Sequence, residues 1–271
     1  MKSFALALGA GGARGLAHIA VIEALDELGV RPRAIAGTSI GAMIGAQYAA
    51  GIAGKTMRRH ALDLTLDRAE VFRRFMGARA STWSSLLRLG NPVLLDADKF
   101  CAAVLPDGVP DDFSALQIPL TLIATDLHAR AEIVFSSGAL KPAIAASMAI
   151  PGLVQPLEFA GRVLVDGGAV DPLPFTHLAG SADIIIAVDC SGEHGEAGRI
   201  PGPWESVFAT ITVMGQTIVA EKLKVARPDL ILRPNVGFFG MLDFLQASAI
   251  LRVAEQMVPQ IKAQVAAVLA D

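Results

Sequence analysis

The chain has 271 residues, 53% of them apolar and 18% charged, with 23 basic against 26 acidic side chains and a net charge of −3. Soluble domains carry about 25% charged residues, so this balance points to a deeply buried sheet and away from nucleic-acid binding, which shows a clustered basic excess. Cys101 and Cys190, in no CxxC spacing, argue against a disulfide framework and for a reducing, cytoplasmic compartment.

The length suits one α/β domain over residues 1–271, and no linker, internal repeat or low-complexity tract interrupts it. The opening MKSFALALGAGG has one Lys and an apolar run shorter than a signal-peptide core, so residues 3–8 are expected as a buried strand ending in the glycine loop 9–15. Residues 16–28 carry helical spacing, and Gly29 stands where a C-terminal glycine stop belongs. The uncharged run from Ala34 to Gly54 is long enough to span a bilayer. Its five glycines, with Thr38, Ser39 and Gln47, fit a buried strand (34–37) turning into a small-residue helix from Ser39 to about Gly51.

Further on, Asp96 is a fitting N-cap for a helix to Leu105. Strands are expected over 119–125 and 131–135, a helix over 139–148, a short strand over 163–165, and the clearest buried strand over 183–189. A helix over about 204–225, a strand over 229–233 and a single last helix over about 246–269 complete the pattern. Strands alternating with helices predict a three-layer α/β fold, a mostly parallel sheet with helices on both faces. Sites in such sheets form at the carboxyl ends of strands.

Three motifs fall there. Gly37-Thr38-Ser39-Ile40-Gly41 is a G-x-S-x-G between strand and helix, the context of a nucleophile elbow, in which a strained turn exposes a serine hydroxyl. Gly9-Ala10-Gly11-Gly12-Ala13-Arg14-Gly15 offers converging backbone N–H groups to an anion. It fails the dinucleotide fingerprint in both registers and lacks the G-K-[ST] of a P-loop. Asp166-Gly167-Gly168 follows a strand and is by itself a turn. A serine nucleophile needs a neighbouring base. His177 and His194 follow Asp166 in the chain order of a Ser–His–Asp triad, whereas His18, His60 and His128 have no such placing. No HExxH, calcium loop or Cys/His ligand set is present, so neither a metal nor a cofactor is expected.

In this order the motifs resemble the patatin-like phospholipase family. The similarity extends through LALGAGGARGLAHIAVIEALDELGV, AIAGTSIGAMIGAQYAAG and ASMAIPGLVQPLEFAGRVLVDGGAVDPLP, most of residues 4–190. The resemblance implies a lipid acyl hydrolase (phospholipase A, lysophospholipase or carboxylesterase) that works through a Ser–Asp dyad without histidine. Ser39 would be the nucleophile and Asp166 the general base. The N–H groups of Gly11, Gly12 and Ala13 would form the oxyanion hole, supported by Gly9, Gly15, Gly37, Gly41, Gly167 and Gly168. Arg14 matches the basic position of the family's G-G-G-x-R/K-G loop, but Ala10 replaces its first glycine. That methyl fits if φ at Ala10 is negative.

A carboxylate at its ordinary pKa is a weak base, so this assignment expects Asp166 to be buried and directly bonded to Ser39. The alternatives are a Ser–His–Asp esterase and a non-enzymatic lipid- or nucleotide-binding regulator. Residues 67–95 mix five arginines with Phe72, Phe75, Met76, Trp83, Leu86 and Leu87. They read as a helical cover of the sheet or as a lid making peripheral contact with anionic lipid. Asp171-Pro172 reads as a turn. The expected partner is a lipid or acyl-ester substrate; the sequence leaves the oligomeric state open.

Overall fold

A computed structural model describes residues 1–66, 95–192 and 200–270. Segment 67–95, read from sequence as a helical cover or a lid, therefore lies, except for Leu95, outside the described residues, as does His194. Five strands run parallel: β1 (Phe4–Leu8), β2 (Ile35–Thr38), β3 (Leu120–Asp126), β7 (Ile184–Val188) and β8 (Leu230–Leu232). They pair in the order β3-β2-β1-β7-β8. Of three more, β4 (Ala131–Phe135) and β6 (Arg162–Asp166) pair antiparallel with β3, and β5 (Leu157–Phe159) pairs antiparallel with β6. The sheet is thus mixed and mostly parallel.

Period-two alternation decides how each face is covered. Phe4, Leu6 and Leu8 point into the larger core, packed beneath α1 (His18–Leu28), α2 (Ile40–Ala49) and α5 (Leu140–Ser147). Ala5 and Ala7 point the other way, with Ala36 and Ala187. Those short side chains let Leu173, Phe175 and Leu178 approach the sheet, with Val219 of α6 (Pro203–Val225) behind them. The remaining helices are α3 (Gly54–Leu66), α4 (Ala97–Val104), α7 (Ala247–Glu255) and α8 (Val258–Ala270). None among the described residues is long and apolar enough to cross a membrane. The uncharged 34–54 run is strand, elbow and helix, buried almost throughout.

Most expected elements appear within a residue or two. Asp96 caps α4 by accepting from the N–H of Lys99 at 2.9 Å, and Gly29 ends α1 with φ 69°. Two readings fail. The last helix is two, α7 and α8, because Pro259 lacks an N–H and fits only the first turn of a helix. The strand at 163–165 has an unexpected partner in β5, joined to it through Ala160 (φ 50°) and Gly161 (φ 74°). Two successive positive φ values make a tight hairpin turn, which Asn-Gly would have announced but Ala-Gly did not.

Helix α2 lies so close to the sheet that Gly41 has no room for a side chain. A Cβ there would sit 2.1 Å from the carbonyl oxygen of Leu8. Gly45, one turn on, would place its Cβ 3.2 Å from the Ile35 side chain, which would have to give by only a few tenths of an ångström. Gly41→Ala is therefore expected to cost roughly 3 kcal/mol or more, since backbone must move. Gly45→Ala is expected near zero, because the gain in helix propensity, about 1 kcal/mol, offsets the tight contact. Urea midpoints of the two variants check this, and equal losses would refute it.

Candidate active site

Strand β2 ends at Thr38, and α2 begins at Ile40. Ser39 makes the bend with φ 57° and ψ −124°, a conformation that L residues adopt only at a cost of about 1–3 kcal/mol. Two contacts hold it there. Its carbonyl accepts from the N–H of Ala42 at 2.9 Å, and its own N–H donates to Ser147 Oγ at 2.9 Å. Ser147 ends α5 and is fully buried.

The strand pairings bring the carboxylate to this bend. Residues Leu122 and Ile123 of β3 pair with both β2 and β4, so those two strands lie on opposite edges of β3. Residues Ala124 to Asp126 pair with both β4 and β6. Strand β6 therefore shares an edge of β3 with β2. The two run head-on, with Thr38 opposite Ile123 and Asp166 opposite Ala124. Their carboxyl ends meet, and the Ser39 hydroxyl donates to Asp166 Oδ2 at 2.5 Å. The other carboxylate oxygen, Oδ1, accepts from the N–H of Gly168 at 2.7 Å. Burial raises the Asp166 pKa from 3.8 to about 6, against the opposing pull of the Ser39 and Gly168 bonds.

The glycine loop follows β1. Gly9 N–H donates to Val188 O and Ala10 N–H to Pro172 O, and Ala10 is not among the residues with positive φ, so its methyl is accommodated. Ala13 N–H donates to Met241 O at 2.8 Å. Among the described residues, the N–H groups of Gly11 and Gly12 have no acceptor. Both glycines line one cavity of about 150 Å³ with Ser39 and Asp166. Gly12 has φ 58°, and Met241 packs where its Cβ would be. The three amides expected from sequence thus reduce to two free ones, because Met241, 228 residues away, takes the third. Arg14 is buried; its Nε donates to Gly11 O at 3.3 Å and Nη2 to Thr212 Oγ1 at 3.2 Å. The first bond engages the Gly11 carbonyl, and the second ties the loop to α6, which carries Thr212.

No histidine among the described residues bonds Ser39 or Asp166. His18 is buried against Gly9 O at 2.8 Å, and burial holds its pKa down to about 4. His60 donates to Val104 O, and His128 is exposed. His177 lies 2.7 Å from Glu132 and 3.5 Å from Asp171, and these two carboxylates raise its pKa. Asp171 is more than the turn its sequence suggests. Its buried carboxylate pairs with Lys222 at 2.7 Å, and its carbonyl accepts from Thr38 Oγ1 at 2.8 Å. Glu132, Asp171 and His177 cluster closely enough to hold a cation, but the Lys222 ammonium already supplies that charge.

A second cavity, of about 400 Å³ and almost wholly apolar, lies behind the elbow. Ile40, Met43 and Ile44 of α2 line it, with Met57, Phe100 and Leu242. Ile40 and Leu242 each follow a residue, Ser39 or Met241, that lines the smaller cavity. Sequence reasoning named neither Ser147 nor Met241. Ser147 stood inside the ASMAIPG block as an unremarked small residue, and Met241 carried no local signal.

A family model described as patatin-like phospholipase matches residues 6–179. The chain belongs to that family. It is 42% identical over 205 residues to an uncharacterized NTE family protein of Mycobacterium bovis, an alignment covering 73% of this chain and 52% of that protein. Against lysophospholipase NTE1 of Mycosarcoma maydis it is 37% identical over 268 residues, covering 89% of this chain and 14% of the fungal protein. The chain thus spans about half the length of the mycobacterial relative, and less of the fungal one. The crystal structure of VipD from Legionella pneumophila has a TM-score of 0.52 at 13% identity, over 97% of this chain and 67% of VipD. That likeness bears on the fold alone.

In this family setting Ser147 is expected to position Ser39 rather than to touch a substrate. Ser147→Ala removes the acceptor of the Ser39 N–H and leaves that buried donor unpaired, a cost of about 1–3 kcal/mol. The expected result is a kcat lowered about tenfold or more with KM little changed. Ser147→Thr, which keeps the hydroxyl, should restore part of it. An unchanged kcat in Ser147→Ala would refute the role.

Proposed function

We propose that the protein is a serine lipid acyl hydrolase working through a Ser39–Asp166 dyad. The observation that carries this reading is the 2.5 Å contact between the strained Ser39 and the buried Asp166, beside the free amides of Gly11 and Gly12. Ser39 Oγ attacks the ester carbonyl carbon as its proton passes to Asp166 Oδ2. The oxygen that gains negative charge faces the two amides, which are already in place and need no reorganisation. The intermediate collapses, and the alcohol leaves with the proton from Asp166. Water then gives a proton to Asp166 and attacks the acyl-enzyme, which releases the fatty acid as Ser39 recovers its proton.

Lipid as the substrate class is supported by family membership and by the two apolar cavities, whose linings adjoin in the chain at Ser39–Ile40 and at Met241–Leu242. The larger one suits an acyl chain. A Ser–His–Asp triad through His177 has no support in the geometry, because that imidazole is held by Glu132 and Asp171. A binding-only regulator does not need the strained serine.

A fluorophosphonate probe should label the protein stoichiometrically, and Ser39→Ala should abolish labelling. A panel of p-nitrophenyl esters, lysophospholipids and diacyl phospholipids should show hydrolysis that the same variant loses. Absence of labelling in the native chain would leave a binding role.

A further inference from the structure

Helix α6 has no Asp, Glu, Lys, Arg or His from Ser206 to Ala220. A helix this exposed normally turns charge to solvent. Here Trp204, Val207, Ile211, Met214 and Ile218 follow one another at spacings of three, four, three and four residues, which keeps them on one flank. Trp204 is 54%, Val207 47% and Met214 60% exposed. The inner part of this stripe, Ile211, Met214 and Ile218, lines the cavity that holds Ser39 and Asp166. Its outer end packs close to a neighbour of the same lining. The Trp204 ring lies 3.3 Å from where a Gly152 Cβ would stand, next to Pro151 of the lining.

The far rim of the cavity is apolar as well. Met241 lines the Ser39 side, and Phe238, Leu242 and Leu245 around it are exposed. The acid in this segment, Asp243, has its carboxylate turned to the Gly240 N–H. Leu242 and Leu245 also line the larger apolar cavity. The largest concentration of exposed apolar side chains among the described residues therefore surrounds the entrances to both cavities. Apolar patches of this kind mark interaction sites.

We propose that the α6 stripe and the 237–245 segment form the face by which the protein docks onto a zwitterionic lipid surface, with the mouth of the Ser39 cavity set against it. This inference rests on the lipid acyl hydrolase reading. A second copy of the chain seated on this flank would close the entrance to Ser39, whereas a lipid layer there delivers an ester to it. With no basic residue in the stripe, docking draws on apolar burial and on tryptophan's preference for the interface, not on attraction to anionic headgroups. It is therefore indifferent to lipid charge and to salt.

The test uses the Ser39→Ala chain, so that docking is read whether or not Ser39 is a nucleophile. With Trp83→Phe added, Trp204 is the one tryptophan. Phosphatidylcholine vesicles should shift its emission to the blue, and brominated acyl chains should quench it. Vesicle flotation with Trp83 intact should give the same partitioning, unchanged by half-molar salt or by added anionic lipid. Val207→Glu should lower partitioning about tenfold or more, as loss of a buried valine and burial of a charge require. Val213→Glu should not, because Val213 is 61% exposed but lies on the opposite side of the same helix. An unmoved Trp204 emission, equal losses in the two variants, or a lipid-free dimer that Val207→Glu dissociates would each overturn the proposal. Failure of the hydrolase reading would appear separately, as absent fluorophosphonate labelling of the native chain.

Discussion

Asp166→Asn should lower kcat/KM by a factor of about 10³–10⁴, the upper part of the range for a general base, while His177→Ala and His194→Ala stay within a few-fold of the native chain. The asparagine keeps the shape of the site and can still accept from Ser39, but it cannot take the proton. Native kcat/KM should fall tenfold per pH unit below about 6, where Asp166 becomes protonated. It should be flat above that point. An ordinary aspartate would place the bend near 3.8, so its position reads the burial of this carboxylate. The position alone does not separate an aspartate from a histidine, which titrates nearby. Persistence of the same acid limb in His177→Ala and His194→Ala does. An Asn variant keeping more than a tenth of native activity, or an acid limb that vanishes with either histidine, would end the dyad.

The local parts of this site were legible in the sequence; of the contacts between them only the Ser39–Asp166 bond was expected, as a requirement of the dyad that the resemblance implies. G-x-S-x-G between a strand and a helix announced a strained serine, and Ser39 has φ 57°. Asp166 was named through the resemblance to the patatin-like family, which implies a base at the D-G-G aspartate; by itself that motif reads as a turn after a strand. The sequence held nothing to say that β2 and β6 would share one edge of β3 and meet head-on. That follows from a pairing pattern set by β4, a strand with no motif of its own. The glycine loop shows the same limit. Its composition predicted free amides, yet how many are free depends on Met241, brought in from the far end of the chain. Ser147 escaped because a small residue in an apolar block has no pattern to mark it until its hydroxyl is seen under the Ser39 N–H. The helix break at Pro259 was readable, and was lost to the apolar periodicity that continues through it.

The burial that would prepare Asp166 for the proposed role of base should also cost the fold stability, and Asp166→Asn should recover it. A carboxyl group whose pKa is higher in the folded chain than in the unfolded one binds its proton more tightly when folded. Its stabilising contribution is complete below pH 3.8 and is lost as the pH rises through about 6. A rise of that size corresponds to roughly 3 kcal/mol, which for a chain of this length is on the order of 5–10 °C in Tm. The native chain should therefore lose stability between pH 4 and pH 6.5 by an amount that the Asn variant, with nothing to ionise at that position, does not lose. The difference in Tm, variant minus native, should be small at pH 4 and near its full size at pH 7. Other titrating groups, such as Asp98 with its own raised pKa, act in both proteins and cancel in the difference. Thermal melts of both chains across that range decide the matter. Parallel curves would mean that Asp166 ionises as freely folded as unfolded, and a carboxylate that ionises freely is too weak a base for the serine it touches.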